Sequence, residues 1–183
     1  FFVSSFITSP LFILTSLLIY FEDGGPIFYS QIRTGFNGKN IRIYKFRSMI
    51  INAEQFGPQW STSGDKRITK VGKVIRALRI DELPQLLSVL EGNMSLIGPR
   101  PERPEIEKSF HNEIPFYEYR NIIKPGISGW AQVNFNYAAS KEDTIKKLSY
   151  DIYYINHISF LLDILILIKT IKIIFHANSH KPK

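Results

Sequence analysis

Residues 1–21 read "FFVSSFITSPLFILTSLLIYF", without one charged side chain. About twenty apolar residues suffice for a helix to cross the hydrocarbon of a bilayer. This stretch therefore decides between an ordinary domain and one seated on a membrane. No basic segment precedes it and no small-residue cleavage site comes before Glu22, which argues against a secretory signal. Ser9-Pro10 falls in its middle. Proline has no N–H to donate, and its ring crowds the carbonyl four residues back, so a helix bends there. Two arrangements are open at this point: a kinked helix that spans, and one that enters, bends and leaves by the same face. Length does not separate them. The start at Phe1 rather than Met carries the expectation that the chain is part of a longer protein.

The chain's 183 residues in all are enough for one domain with a core. The chain has no cysteine, so disulfides, zinc-thiolate sites and thiol nucleophiles are excluded. Its formal charge of +7 points to a phosphate-rich partner: nucleic acid, an anionic membrane or a phosphorylated substrate. The cations are concentrated. Residues 24–53 contain no acid but carry Arg33, Lys39, Arg42, Lys45 and Arg47.

Residues 27–46, "IFYSQIRTGFNGKNIRIYKF", read as two strands joined around Asn37-Gly38, a strong hairpin signal. Residues 52–66 read as a polar loop. Ile68, Val71, Val74, Ile75 and Leu78 then recur at helical spacing beside Lys66, Lys70 and Lys73, which predicts a basic amphipathic helix. A second helix is expected from Asp81 to Gly92, and a third over 103–122, interrupted by Pro115. "KPGISGW" (124–130) reads as a turn, and "AQVNFNY" (131–137) as an extended segment. A further helix begins near Lys141. The closing run, "FLLDILILIKTIKIIF" (160–175), is apolar but carries Asp163, Lys169 and Lys172. Each charge would cost roughly 2.5–3.5 kcal/mol at the centre of a spanning helix, so an interfacial helix is expected.

The chemistry is concentrated in "RIDELPQLLSVLEGNMSLIGPRPERP" (79–104). Asp81, Glu82 and Pro84 suit the first turn of a helix that Gly92 would close. That capping role accounts for the carboxylates by itself. It does not account for their place among cations.

Four motifs in register change the weighting: "GPIFYSQIRTGFNGKNIRIYKFRSM", "RIDELPQLLSVLEGNMSLIGPRP", "KPGISGWAQVN" and "YDIYYINHISFLLDILILIKTI". Together they resemble the bacterial sugar transferases, the monotopic polyprenyl-phosphate phosphoglycosyl transferases. The likeness covers essentially the whole chain. It implies a mainly α fold with a small β-hairpin, on a monotopic membrane-associated domain with interfacial amphipathic helices. Residues 1–22 would form a re-entrant membrane helix, and 23–183 a catalytic domain on the cytoplasmic face of the bacterial inner membrane. The implied reaction moves a sugar 1-phosphate from a UDP-sugar to undecaprenyl phosphate with release of UMP, in the presence of Mg²⁺. It would serve the first membrane step of exopolysaccharide, capsule or O-antigen synthesis. Nucleic acid is not an expected partner, and a homo-oligomer is compatible with the family.

The resemblance assigns roles to individual residues. Asp81 would be the nucleophile, forming a phosphosugar-aspartate intermediate, and Glu82 would handle a proton or, with Asp81, hold the metal. Lys45, Arg47, Arg76, Arg100 and Asp151 would bind substrate. A helix N-terminus and nearby arginines are expected to lower the pKa of Asp81, which must be ionised to attack. Two departures from the family stand out. Small members commonly read "SLDELPQ", so Arg79 adds a charge beside the nucleophile. They also continue "QVNGRN", whereas this chain reads "QVNFNYAASKED", as the longer exopolysaccharide-type members do. The competing expectations are a membrane-anchored basic module that binds nucleotide or lipid without catalysis, and a phosphohydrolase that needs no polyprenol.

Overall fold

The computed structural model describes residues 2–55, 57, 64–135 and 140–175, with side chains from residue 9 onward. Part of the expected 52–66 loop and the end of the 131–137 segment lie outside the described residues. The rest forms two compact units. The first comprises residues up to 29 together with 45–83, and the second 30–44 together with 84–175.

The first unit begins with α1, Phe2–Asp23, which contains Pro10. Its burial is inverted relative to a soluble helix. Thr15 and Ile19 face inward at 2% and 3% exposure, whereas Ile13, Leu14, Leu17, Leu18 and Phe21 lie open. The Thr15 and Ser16 hydroxyls donate to the carbonyls of Leu11 and Phe12, which lets both sit at no hydrogen-bonding cost. Among the described residues no helix is long and apolar enough to cross a membrane. The strands β1, Phe28–Thr34, and β2, Asn40–Phe46, form the expected hairpin. Asn37 and Gly38 at its tip both have positive φ, the conformation for which asparagine and glycine are suited. The root of the hairpin belongs to the first unit, where Phe12, Phe28 and Phe46 form an aromatic cluster with centroids 4.6–5.7 Å apart.

The helix α2, Lys70–Ala77, starts with two caps. The Thr69 hydroxyl accepts from the Gly72 amide, and the Glu22 carboxylate at the end of α1 accepts from the amides of Lys70 and Val71. Ile75 of α2 joins Ile19 and Phe46 in the core of this unit.

The expected single helix over 81–92 is not formed. Ile80–Gln85 is instead a 3-10 helix, followed by the short α3, Leu86–Leu90. The second unit continues with β3, Ser95–Ile97, and α4, Pro104–Glu113, with proline at its start. As expected, the helix stops before Pro115, and a 3-10 helix follows over Tyr117–Asn121.

Two local readings are overturned further on. Residues 126–128 of the supposed turn form β4, Gly126–Ser128, which pairs in parallel with β3 (Ser95 with Gly126, Ile97 with Ser128). Gly98 and Gly126 permit this approach, because a Cβ on Gly126 would collide with the Gly98 backbone. Residues 131–134 of the supposed extended segment are helical and belong to α5, Trp130–Asn134. Five residues are too few to show a helical period, so the pattern was open to misreading.

The helices α6, Lys141–Asn156, and α7, Phe160–Phe175, complete the unit. Ile97, Tyr154 and Ile166 form one core cluster, and Ile114, Tyr117 and Leu148 another. On α7 only Ile166 is fully buried, while Phe160, Leu161, Leu167, Ile168 and Ile171 are exposed. The chain is mainly helical with a small hairpin, as expected, and carries in addition the short β3–β4 ladder.

Candidate active site

The turn that presents Asp81 and Glu82 is made by Arg79. This residue follows α2 in the left-handed conformation (φ 58°), where glycine is usual, and redirects the chain into the 3-10 helix. The Glu82 amide then donates to the Arg79 carbonyl at 3.3 Å. Both carboxylates are drawn inward, Asp81 to 8% exposure and Glu82 to 7%.

Their surroundings differ. Glu82 Oε1 lies 3.1 Å from Lys45 Nζ on β2, and its Oε2 lies 3.9 Å from Arg79 Nη1. Asp81 Oδ1 is buried and accepts no hydrogen bond. An ionised oxygen in that position is costly, and the Asp81 pKa is raised accordingly. Burial is the main cause and the neighbouring Glu82 charge the second; Lys45, Arg76 and Arg79 oppose them. The expectation of a lowered pKa is thus reversed. Three cations near the carboxyl do not offset its removal from water beside a like charge.

Arg47 lies elsewhere in the first unit. It is 7% exposed and pairs with Asp23 at the end of α1, with Nε and Nη1 unpartnered. The structure therefore brings Lys45, Arg76, Arg79, Asp81 and Glu82 together, with Arg47 in a separate ion pair. Among the described residues no three His, Cys, Asp or Glu side chains are disposed to hold a metal. Two adjacent carboxylates, one with a free buried oxygen, do suit Mg²⁺, which commonly takes one or two carboxylates and completes its shell with water and substrate phosphate.

Arg100 and Asp151 belong to the second unit. Asp151, on α6, is 2% exposed, and its Oδ2 lies 2.9 Å from Arg120 Nη2. Arg120 is 3% exposed, stays charged through this pair, and also lies 3.8 Å from Glu102 Oε1. Burial would raise the pKa of Glu102, but Lys147, Arg120 and Arg33 outweigh it and hold the carboxyl at about 2. Neither Arg120 nor Glu102 was singled out from the sequence. "YEYRN" (117–121) carries no local sign that its arginine is buried.

Residues 1–177 match the family described as bacterial sugar transferase. The chain belongs to the bacterial sugar transferase family. It is 55% identical over 166 residues to a UDP-N-acetylgalactosamine-undecaprenyl-phosphate N-acetylgalactosaminephosphotransferase of Aeromonas hydrophila, covering 91% of this chain and 39% of that protein. It is 39% identical to an undecaprenyl-phosphate glucose phosphotransferase of Komagataeibacter xylinus, over 90% of this chain and 32% of that one. An uncharacterized sugar transferase of Bacillus subtilis (strain 168), EpsL, is 40% identical over 90% of this chain and 78% of its own length. The chain thus spans 39% and 32% of the lengths of the first two relatives. They differ from each other in the sugar that their names give.

Proposed function

We propose that this chain carries the catalytic site of a phosphoglycosyl transferase that moves a sugar 1-phosphate from a UDP-sugar to undecaprenyl phosphate. The observation that carries the reading is the buried, unpartnered oxygen of Asp81, set among Lys45, Arg76 and Arg79 while Glu82 is held by two of those cations. An Asp81 oxygen attacks the phosphorus that bears the sugar. The bond from that phosphorus to the bridging oxygen breaks, and UMP leaves with the bridging oxygen. A phosphate oxygen of undecaprenyl phosphate then attacks the same phosphorus and releases the Asp81 carboxylate, giving undecaprenyl-diphosphate-sugar. Two displacements let a soluble and a lipid substrate use one nucleophile in turn.

Lys45, Arg76 and Arg79 offset the charge of the diphosphate, which would otherwise repel a carboxylate. Asp81 and Glu82 are the residues that would hold Mg²⁺. When bound, the ion neutralises charge on the phosphates. The family resemblance assigns Arg100 to the nucleotide.

The test is transfer of label from a radiolabelled UDP-sugar with and without undecaprenyl phosphate. Label is expected in the lipid phase only when the acceptor is present. Release of free sugar phosphate without acceptor would indicate a phosphohydrolase, and binding without turnover would indicate a module without catalysis.

The raised pKa of Asp81 gives a pH prediction. Since the ionised form attacks, kcat/KM should fall as pH drops through that pKa. Glu82→Gln removes a like charge and should move the acid limb to lower pH, whereas Lys45→Met removes a cation and should move it higher. The rate–pH profiles of the two variants check the opposite signs.

The apolar outward faces of α1 and α7 support a seat at the bacterial inner membrane, and the re-entrant reading has α1 bend at Pro10, with both its ends on the cytoplasmic face. The chain has no cysteine to interfere with labelling. Phe2→Cys and Lys39→Cys should both react with an impermeant maleimide from the cytoplasmic side of oriented vesicles. Labelling of Phe2→Cys from the opposite side alone would mean a spanning helix.

A further inference from the structure

The segment "GPRPE" (98–102) contains two prolines, so it has few amides of its own to hold it in place. Four successive carbonyls are instead held from outside, each by a different donor. Pro99 accepts from the Gly126 amide at 2.9 Å, Arg100 from Arg120 Nη2 at 2.7 Å, Pro101 from Arg33 Nη1 at 3.1 Å and Glu102 from the Thr34 amide at 2.9 Å. Donors from β4, the 117–121 helix and β1 thus converge on one short loop within the second unit.

Two of the four donors are guanidinium groups, and the same unit supplies their counter-charges. Asp151 lies 2.9 Å from Arg120, and Glu102 lies within 3.8 Å of both Arg33 and Arg120. Lys147 Nζ lies 2.6 Å from Glu102. Tyr117 accepts from Arg120 Nη1 at 2.9 Å. A buried pair is expensive to desolvate and adds little net stability compared with apolar residues of the same size, so its value lies in the geometry it imposes.

We propose that Arg120, Arg33, Glu102 and Asp151 form a clamp on the Pro99–Glu102 backbone that sets the position of Arg100 for the sugar nucleotide. Asp151 then acts through Arg120, as a positioning residue, and not by touching substrate. The inference rests on the reading of Arg100 as a nucleotide-binding residue, and the test separates the two.

Steady-state kinetics of the full chain with UDP-N-acetylgalactosamine and undecaprenyl phosphate are compared for wild type, Arg100→Ala, Arg120→Lys and the double variant, together with UDP titration calorimetry. Arg120→Lys keeps the charge but loses the planar fork whose Nη2 serves Asp151 and the Arg100 carbonyl while its Nη1 donates to Tyr117. Each single variant is expected to raise KM for the nucleotide, and Kd for UDP, about tenfold with kcat little changed. The double variant should also remain about tenfold impaired, because without the Arg100 side chain the clamp has nothing to position. A product of the two effects, about a hundredfold, would mean that Arg120 acts on stability or elsewhere, and overturns the clamp. An Arg100→Ala variant with normal KM and Kd overturns it too, by removing its object. If wild type binds UDP but does not turn over this donor, the UDP cycle alone decides the clamp, and the transfer reading fails separately. Should Arg120→Lys not fold, Arg33→Gln removes the donor to Pro101 at a less buried position and carries the same cycle.

Discussion

Replacing Asp81 by asparagine is expected to abolish transfer, by about a thousandfold or more, because an amide is a far poorer nucleophile than a carboxylate. Intact mass of the wild-type protein given sugar nucleotide alone should show a phosphosugar adduct that the variant lacks. Most of the turnover surviving in Asp81→Asn would overturn the assignment. Stability should move the other way. The Asp81 carboxyl is buried beside Glu82, its Oδ1 accepts no hydrogen bond, and its pKa is raised. In the linkage sense the ionised group opposes folding above its folded-state pKa, and asparagine removes that cost. The variant should therefore unfold at equal or slightly higher urea than wild type at neutral pH. Loss of activity without loss of stability marks a group retained for chemistry.

The second large effect is on folding. Arg120→Leu should destabilise the protein by about 3–5 kcal/mol, since it leaves Asp151 buried without its counter-ion and Glu102 with one cation fewer. Denaturant titration in detergent measures it. Arg120→Leu combined with Asp151→Leu should recover part of the loss, because the uncompensated charge is then gone. If the single variant cost less than about 1 kcal/mol, the pair would not be buried as described.

The elements that could be read from the sequence are those whose signals are local. Asn37 and Gly38 adopt positive φ because their own side chains permit it, and the hairpin follows. Pro104 starts α4, and the helix stops ahead of Pro115. The four motifs placed the chain in its family. The misread elements had different causes, one a partner distant in the chain and another a local backbone turn. The β4 strand is a strand because Gly126 meets Gly98, and the 81–92 helix breaks because Arg79 turns left-handed after α2.

The candidate site divides in the same way. Which residue types are present, and that carboxylates stand beside cations, follows from the sequence alone. The tertiary structure decided which charges meet. Glu82 is bound by Lys45, 37 residues away, Asp151 is enclosed with Arg120, and Arg47 is drawn to Asp23. It also reversed the expected sign of the Asp81 shift. The reason is physical. Backbone preference is set by a residue and its immediate neighbours, whereas a pKa depends on how much water the folded chain removes and which charges it leaves nearby.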